Sequence, residues 1–432
     1  MLLVERVVSE VESWRSHAAG HWRRIGPALL LGLLIRLLVM PFFTHGDMLN
    51  SYWRSHLWVD LGRFEKVGFQ IPVQYMHAGF LWLLSPALPP SEAIWPAELD
   101  DRSLDELSSP DDWKQLISNP KIYRTLFLLK LPYLLFDIGC LVILFCLMRN
   151  TQHAQLVITF WWLNPIIIFG SYIFSRHDII VQFFVLLSLL QFARNKIIWA
   201  LVWLGVAIAF RFYPILLLPF YILPVRSFKQ LLRWGLLGVL PFILVELYSR
   251  VFLGHYGVGG LVALPHNNYL LSARLLLAGW DNLYIFPLSY FLLVLHRIYG
   301  QERSWQSLIR YALLGLLLLF AFAATGQSPH YWTWLIPFLA LGTAADHRLI
   351  PLHYVQCGLL LLYSFVGGRS TAGFLLGSVS PDFFWALPGP AEIIGQYMPI
   401  ETFISLARTA LAAVTLWMAY LVFRTITERQ AQ

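Results

Sequence analysis

Two short polar stretches interrupt the long apolar runs of this chain and carry residues that could do chemistry. Asp47 lies in HGDMLN, directly after an apolar run that ends at Phe43, and the stretch SRHD at 175–178 separates two further runs. A carboxylate can act as a general base, and an arginine can bind a phosphate through two parallel N–H groups. These residue types predict a site that deprotonates a hydroxyl beside a bound phosphate.

Further candidates for substrate binding lie at the ends of later apolar runs. They are cationic, polar or aromatic residues: Arg211, Tyr213, His266, Arg274, His330 and Tyr331. The arginines among them, together with Arg176, suit a phosphate held at the membrane surface. If the loops fold over one another, Asp47 and Asp178 supply the catalytic carboxylates and His177 contributes to substrate binding.

These residues can also have purely structural roles. Asp47 can be an ordinary loop acid; it follows the carboxyl end of a predicted helix, where the dipole does not favour a carboxylate, and Gly46 would end that helix in a left-handed conformation. Ser175 can cap the next helix, with Asp178 three residues later as in a capping box. Arg211 can extend along lipid to reach the interface.

The histidines and cysteines show no pattern of metal ligands. No histidine pair has a spacing such as HExxH, and Cys140, Cys146 and Cys357 all lie inside apolar runs. The sequence therefore predicts neither a disulfide framework nor a metal site.

The composition identifies the class of protein that must position these residues. The chain is 58% hydrophobic and 13% charged, with a mean hydropathy of +0.62, whereas a soluble domain contains about 25% charged residues. We therefore predict a polytopic membrane protein with little soluble domain. The net charge of +7 is spread between the apolar runs, which suits anionic lipid and does not indicate a nucleic-acid partner.

The apolar runs predict an all-α bundle of about 11–13 transmembrane helices, since a span needs about 20 residues. The predicted spans are 25–43, 122–148, 154–174, 178–193, 197–210, 212–224, 235–252, 284–298, 308–325, 330–345, 349–367 and 403–423. Residues 1–24 resemble a short interfacial helix. Residues 373–394 are apolar but rich in Gly and Pro, which predicts a re-entrant or surface-lying segment.

The stretch 197–224 decides the orientation of the bundle. Two short spans leave the basic clusters at 194–196 and 226–233 on the same side of the membrane, with Arg211 at the opposite turn. Positive residues favour the cytoplasmic side, so this alternative is preferred to one long span. Both termini are then cytoplasmic, and Asp47 lies outside with the long segments 44–121, 253–283 and 368–402.

Two acids, Asp137 and Glu246, lie deep inside predicted spans. Acids inside a membrane are costly and often functional. Each is alone on its helix with no basic partner in register, so a protonated, hydrogen-bonded packing role suits these acids at least as well as a functional one.

Several stretches, in order along the chain, resemble a family of membrane enzymes. They are HGDMLNSYWRSHLWVDLG, IPVQYMHAGFLWLL, FLLKLPYLLFDIGCLVIL, WWLNPIIIFGSYIFSRHDIIVQFFVLLSLL, AFRFYPILLLPFYIL and SPHYWTWLIPFLAL. Together they cover most of residues 25–345 and resemble the GT-C glycosyltransferases, which use sugars linked to lipid phosphates. The closest likeness is to bacterial family 87 mannosyltransferase-like proteins and to the first mannosyltransferase of GPI-anchor synthesis.

The resemblance implies transfer of a hexose, with mannose the first guess, from a polyprenyl- or dolichyl-phosphate donor to an acceptor hydroxyl with inversion. It implies a general base in the first outer loop, which by position is Asp47. The second polar motif maps onto 176–178, and Arg211 and Tyr213 lie where a cation would meet the lipid phosphate. No cofactor is then required; a divalent metal is the alternative, but HGDMLN lacks the acidic pair common in the family.

The resulting prediction divides the chain into an interfacial helix (1–24), a catalytic module (25–345) and a C-terminal transmembrane region (346–432). The membrane is the plasma (inner) membrane or that of the endoplasmic reticulum, with the active site on the outer or lumenal face. The partners are the lipid-linked donor, membrane lipids and a glycan, lipid or protein acceptor. The alternatives are a multi-pass transporter, a polysaccharide polymerase or ligase with a lipid-diphosphate donor, and a non-catalytic subunit.

Overall fold

The computed structural model of the chain describes residues 25–63, 71–95, 114–222, 227–252, 254, 270–300, 304–323, 329–365, 373 and 375–430. In its first half the elements are α1 (Ile25–Val39), α2 (Gly46–Val59), α3 (Ile71–Leu84), α4 (Ser91–Ile94), α5 (Lys114–Ile117), α6 (Ile122–Met148), α7 (Ala154–Trp162), α8 (Pro165–Ile168), a π-helical turn (Phe169–Ile173), α9 (Asp178–Ala193), α10 (Ile197–Phe210), a first 3-10 turn (Tyr213–Leu217) and α11 (Leu218–Ile222).

The second half is also mainly helical. Its elements are α12 (Phe228–Phe252), β1 (Arg274–Ala278), β2 (Asp281–Tyr284), α13 (Ile285–Tyr299), α14 (Trp305–Phe322), a second 3-10 turn (Pro329–Trp334), α15 (Ile336–Thr343), α16 (Leu349–Phe365), α17 (Pro381–Ala386), α18 (Pro390–Gly395) and α19 (Ile400–Gln430).

Five of the described helical runs are long and apolar enough to cross a membrane. They are α6, the run from α7 through the π-helical turn, α12, α14 and α19. Shorter apolar helices accompany them, including α1, α9, α10, α13 and α16. This architecture agrees with the predicted helical, multi-pass class of membrane protein.

One hairpin departs from the predicted all-α fold. Strands β1 and β2 pair antiparallel, with Arg274 opposite Tyr284 and Ala278 opposite Asp281. Gly279, with φ of +52°, supplies the positive backbone angle that a two-residue turn requires. Residues 274–284 are thus an exception to the predicted all-α fold, because RLLLAGWDNLY is too short to span and carries a turn residue between two apolar stretches.

The core of the described structure is built around α9. This helix packs against α6 on one side and α10 on another, and α10 in turn packs against α12. A second group is formed by α14, α16 and α19, with α19 packed against both of the others. The second 3-10 turn contacts α9 and the π-helical turn, so the breaks in these helices meet in one place.

A fully buried ion pair lies within this core. Arg36 Nε donates to Asp137 Oδ2 at 2.8 Å, and both side chains have no exposed surface. The Tyr172 hydroxyl donates to the same oxygen, and the Trp161 indole donates to the other, each at 2.8 Å. The prediction that Asp137 has no basic partner is wrong, because its partner comes from α1, 101 residues away. Glu246 is half-buried on α12.

The segment 373–394, predicted to be re-entrant or surface-lying, forms the short helices α17 and α18 in its described part. It packs against the loop that follows α1. The Thr44 amide donates to the Leu375 carbonyl at 3.2 Å, and the Ser378 hydroxyl donates to the Phe42 carbonyl. The C-terminal region thus contacts the loop that leads to Asp47.

Candidate functional site

Asp47 lies in the first turn of a helix and not in an irregular loop. His45 is the N-cap of α2, and its Nδ1 accepts a hydrogen bond from the Asp47 amide at 3.2 Å. The positive end of the helix dipole favours a carboxylate at this position. The prediction that Asp47 lies where a helix dipole does not favour a carboxylate is therefore wrong. Gly46 is the first residue of α2 and has no positive φ, so its predicted left-handed conformation is wrong as well.

Arg176 is presented by an irregular turn between two helices. The π-helical turn precedes it, and Ser175 adopts a left-handed backbone conformation with φ of 58°. The Arg176 amide donates to the Gly170 carbonyl at 2.9 Å. A side chain on Gly170 would place its Cβ 2.6 Å from Thr333 Cγ2, so glycine is needed there for the second 3-10 turn to approach. Left-handed non-glycine residues and π-helical turns often mark functional sites.

The capping box predicted for SRHD does not form. The N-cap of α9 is His177, which makes no side-chain capping bond, and the left-handed Ser175 precedes it. Asp178 instead accepts a hydrogen bond from the Trp334 indole, at 2.7 Å from Nε1 to Oδ1. The same oxygen lies 3.5 Å from Arg211 Nε. The acid at the start of α9 therefore connects three separate elements.

The Asp47 carboxylate forms the first of two arginine–aspartate pairs. Its Oδ2 lies 3.3 Å from Arg176 Nη1 and 3.4 Å from His45 Nδ1. The side chain is 37% exposed, so an incoming hydroxyl can reach it. Partial burial raises the pKa of this carboxyl, but the guanidinium of Arg176, followed by His45, Arg211 and Arg54, lowers it below the usual value for aspartate. Asp47 is therefore ionised at neutral pH.

His45 is a neutral partner of this carboxylate. Burial lowers the pKa of its imidazole to about 4, and the nearby Arg176 adds to this effect, while Asp47 opposes it. Because Nδ1 accepts the amide hydrogen of Asp47, the single ring proton is on Nε2. His45 thus orients the first turn of α2 without neutralising the carboxylate.

The second pair, Asp178 with Arg211, is more deeply buried. The side chains are 2% and 7% exposed, respectively. Arg211 lies in the extended break between α10 and the first 3-10 turn, as predicted for the turn between two short helices. Its guanidinium carbon is 5.0 Å from the ring centre of Tyr331 and 5.5 Å from that of Trp334. Aromatic faces of this kind stabilise a cation.

Tyr213 belongs to the same group of aromatic side chains as Tyr331 and Trp334. Its ring stacks on Trp334 with centroids 4.2 Å apart and an interplanar angle of 4°. Its hydroxyl donates to Gln182 Oε1 at 3.1 Å. Tyr213 therefore fixes the indole that donates to Asp178.

A row of stacked rings joins the two pairs. His45 stacks on Phe174 at 3.7 Å, and Phe174 stacks on His330 at 5.2 Å between ring centres. His330 in turn contacts the edge of Tyr331. This row connects the Asp47 side of the site to the ring that lies against Arg211.

Two further histidines, His77 and His177, lie close enough to Arg176 to feel its charge. His77 Nδ1 donates to the Val73 carbonyl at 2.7 Å, so its Nε2 accepts from the Tyr133 hydroxyl at 2.8 Å. The rings of His77 and His177 are 5.9 Å apart. Burial lowers the pKa of His77 to about 4 and that of His177 well below its ordinary value, with Arg176 acting in the same direction on both. Both imidazoles are neutral at pH 7.

Several buried polar atoms around these pairs have no hydrogen-bond partner among the described residues. They are Arg176 Nε, His177 Nε2, Asp178 Oδ2, Gln182 Nε2 and both ring nitrogens of His330. An unsatisfied buried polar group costs about 1–3 kcal/mol, so native proteins rarely keep several together without a ligand or water. Their concentration beside two guanidinium groups indicates a binding place for a polar anionic group.

Most of the predicted site residues are brought together. The cluster contains Asp47, Arg176, His177, Asp178, Arg211, Tyr213, His330 and Tyr331. Arg274 is not joined to it in the described part of the chain, because this residue lies in the exposed strand β1 opposite Tyr284. His266 lies outside the described residues.

Sequence reasoning missed other members of the site. They are His45, His77, Phe174, Gln182 and Trp334. One signal was present for Gln182, which follows Asp178 by one helical turn and so shares its face. Trp334 gave no signal, because its contact with Asp178 joins residues 156 positions apart.

The described residues include no group of three or more His, Cys, Asp and Glu side chains that could hold a metal ion. Each carboxylate of the cluster faces an arginine. The donor set thus suits an anionic ligand better than a cation.

An apolar groove of about 560 Å³ lies between α3 and α12. It is lined by Ile71, Pro72, Tyr75, Met76, Leu244, Val245 and Tyr248. The hydroxyls of Tyr75 and Tyr248 are 2.7 Å apart and connect the two helices. His77 follows Tyr75 by two residues and so lies on the opposite face of α3. One helix therefore contributes to both the groove and the polar cluster.

Comparisons with protein-family models, curated proteins and solved structures gave no match to this chain.

Proposed function

We propose that the chain is an inverting membrane glycosyltransferase of the GT-C type. It moves a hexose, with mannose the first choice, from a polyprenyl- or dolichyl-phosphate donor to an acceptor hydroxyl. One observation carries this proposal: the pairs Asp47–Arg176 and Asp178–Arg211 lie side by side among buried polar atoms without partners in the described structure. Such a site offers a base for a hydroxyl and two cations for a phosphate.

The two arginines are the phosphate ligands in this proposal. A guanidinium presents parallel N–H groups that match phosphate oxygens, and it stays charged when buried. The neutral imidazoles of His177 and His330 add hydrogen-bonding groups without adding charge. Because the leaving group is a phosphate, these contacts stabilise the negative charge that develops as it departs.

Asp47 is the general base, and Asp178 has a different role. Asp47 is partly exposed, whereas Asp178 is buried and already bound by Trp334 and Arg211. Asp47 takes the proton of the acceptor hydroxyl, and that oxygen forms a bond to the anomeric carbon. The bond from this carbon to the phosphate oxygen breaks, and the lipid phosphate leaves with the electron pair. Asp178 holds Arg211 in place for the phosphate.

In this proposal, the donor phosphate replaces Asp47 as the partner of Arg176. When Arg176 turns from Asp47 to the phosphate, it no longer lowers the pKa of the carboxyl. Asp47 then becomes a stronger base at the moment when the sugar is bound. Donor binding thus prepares the base for the acceptor.

The groove between α3 and α12 is the proposed place for the lipid chain of the donor. We expect Val245→Trp, which fills this groove, to raise the KM for a long-chain donor by about tenfold, since losing an apolar contact of about 1.4 kcal/mol has that effect. The KM for a short-chain analogue should stay unchanged. The measurement is initial-rate kinetics with both donors on the purified protein.

Leu247→Trp is the matched control, because Leu247 lies on the same helix, is 55% exposed and does not line the groove. Equal effects of the two substitutions on the long-chain donor would refute the assignment of the groove.

The proposed arrangement in the membrane follows the charge distribution of the sequence. It has about 11–13 transmembrane helices and both termini in the cytoplasm. The site then faces the outer or lumenal side of the plasma (inner) or endoplasmic reticulum membrane.

The test of this function is a transfer assay with the full chain in lipid nanodiscs. Polyprenyl-monophosphate hexoses are offered in parallel with the corresponding diphosphates, and release of the lipid phosphate is followed by mass spectrometry. Consumption of the monophosphate donor alone supports the proposal. Consumption of the diphosphate alone identifies a polymerase or ligase, and solute flux in liposomes without any sugar lipid identifies a transporter.

A further inference from the structure

Lys130 is a fully buried lysine that the proposed reaction does not use. It lies in α6 and has no exposed surface. Its ammonium donates to the carbonyls of Met40 at 2.8 Å and Tyr172 at 3.0 Å, and also to that of Phe43. All three donors of the ammonium are therefore used on backbone oxygens.

These carbonyls belong to two separate segments of the chain. Met40 and Phe43 follow α1, and Asp47 comes four residues after Phe43. Tyr172 lies in the π-helical turn, and Arg176 comes four residues after it. The Tyr172 carbonyl also accepts from the Ser175 hydroxyl at 3.2 Å. One ammonium thus connects the segment that carries the acid to the turn that carries its arginine.

We propose that Lys130 is a positioning residue: its ammonium fastens these two segments together and so sets the contact between Asp47 and Arg176. Its importance for turnover rests on the proposed function, whereas its effect on the geometry does not.

The chemistry of an ammonium fits this task better than that of other side chains. Three N–H bonds diverge from one nitrogen and can reach three carbonyls at once, whereas a guanidinium is planar. The last carbonyls of a helix such as α1 have no partner within that helix and carry negative partial charge, which compensates a buried cation. Lys130 therefore satisfies the end of α1 while it holds the π-helical turn.

The buried ion pair of Arg36 and Asp137 does not duplicate this connection. It binds Tyr172 through the side-chain hydroxyl, and its described hydrogen bonds do not reach the segment from Met40 to Phe43. Without Lys130, the turn stays attached to α6 through Asp137. The segment before Asp47 loses its backbone anchor to that turn and keeps the stacking of His45 on Phe174.

The test follows the protonation of Asp47 in the full chain without any substrate. Infrared difference spectra between pH values report the carboxyl group of Asp47, and the signal is assigned by its absence in Asp47→Asn. We expect Lys130→Met to raise the titration midpoint of Asp47 by about one pH unit, because an adjacent arginine lowers a carboxyl pKa by about that much or more. The groups that face this carboxylate, Arg176, His45, Arg211 and Arg54, are all present in the variant. His45, whose pKa is about 4, gains its charge in the same acidic range in both proteins.

Two variants separate geometry from charge and from general loss of stability. Lys130→Arg keeps the charge but cannot reach three diverging carbonyls, so the midpoint should rise as well. Thr415→Val removes a buried hydrogen bond of 2.9 Å to Gln356, between α16 and α19, and should leave the midpoint unchanged. A normal midpoint in Lys130→Arg with a raised one in Lys130→Met would show a charge effect and overturn the positioning role.

The same variants are then assayed with the lipid-monophosphate donor. We expect turnover to fall by about tenfold with little change in the KM for the acceptor, because misplacing a reacting group costs rate. If Lys130→Met does not fold, Lys130→Arg alone decides, since an unchanged Asp47 midpoint in that variant refutes the proposal. An absence of transferase activity in the unmodified chain would refute the proposed function and leave the infrared result to decide the role of Lys130.

Discussion

Asp47→Asn is expected to lower turnover by about 10²–10⁴-fold, the usual contribution of a general base. The amide keeps the shape of the carboxylate and can still contact Arg176, which lies 3.3 Å away. It cannot accept the proton of the acceptor hydroxyl, so the transfer step fails while donor binding persists. Steady-state kinetics with the lipid-monophosphate donor measure this effect.

Asp60→Asn provides a closely matched control at the opposite end of the same helix, α2. The side chains of Asp60 and Asp47 are both 37% exposed, and each lies next to a histidine. Asp60 is bound by His56 and Ser91, away from both arginines of the site. We expect this variant to keep normal turnover; full activity in Asp47→Asn, or equal losses in the two variants, would remove Asp47 from the role of base.

Arg211→Lys is expected to weaken the apparent affinity for the donor by about 10- to 100-fold and to lower turnover less. A hydrogen bond to a charged group contributes about 1.5–3 kcal/mol, and lysine loses the planar pair of N–H groups that matches a phosphate. The lysine still carries the charge that Asp178 requires, so the fold is largely kept. Donor titrations monitored by the fluorescence of Trp334 and its neighbours give the affinity.

Arg297→Lys is the matched control for this substitution. Arg297 is 3% exposed, donates to the Ser307 hydroxyl and lies 4.9 Å from the ring centre of Tyr311. It therefore resembles Arg211 in burial and in its aromatic contact, but it belongs to α13. An unchanged donor affinity in Arg211→Lys, or the same loss in Arg297→Lys, would contradict a phosphate-binding role for Arg211.

The sequence predicted those features that depend on local pattern. Apolar runs identified α6, α9, α10 and α14, because burial in lipid requires continuous apolar surface. Polar residues at the ends of these runs identified both acids and both arginines of the cluster. The break at Arg211 was also predictable, since charge asymmetry favoured two short helices over one.

Features that depend on contacts between distant segments could not be predicted in the same way. Asp137 pairs with Arg36, 101 residues away, and Asp178 accepts a hydrogen bond from Trp334, 156 residues away. The start of α2 was mistaken for the end of α1, because the capping residue is a histidine, which is not among the preferred N-cap types. The role of Lys130 depends on three backbone carbonyls, and no side-chain pattern in the sequence identifies those.

The ion pair between α1 and α6 has a consequence for the biogenesis of the protein. Arg36 emerges from the ribosome 101 residues before Asp137, a delay of about 5–20 s at ordinary rates of synthesis. An unpaired arginine costs about 2.5–3.5 kcal/mol on insertion at the centre of a span and less near its end, where Arg36 lies in α1. We therefore infer that α1 stays near the translocon or the interface until α6 arrives, and that the two helices enter the lipid as a pair. Crosslinking of α1 to lipid in arrested chains that end before residue 137 would contradict this order of assembly.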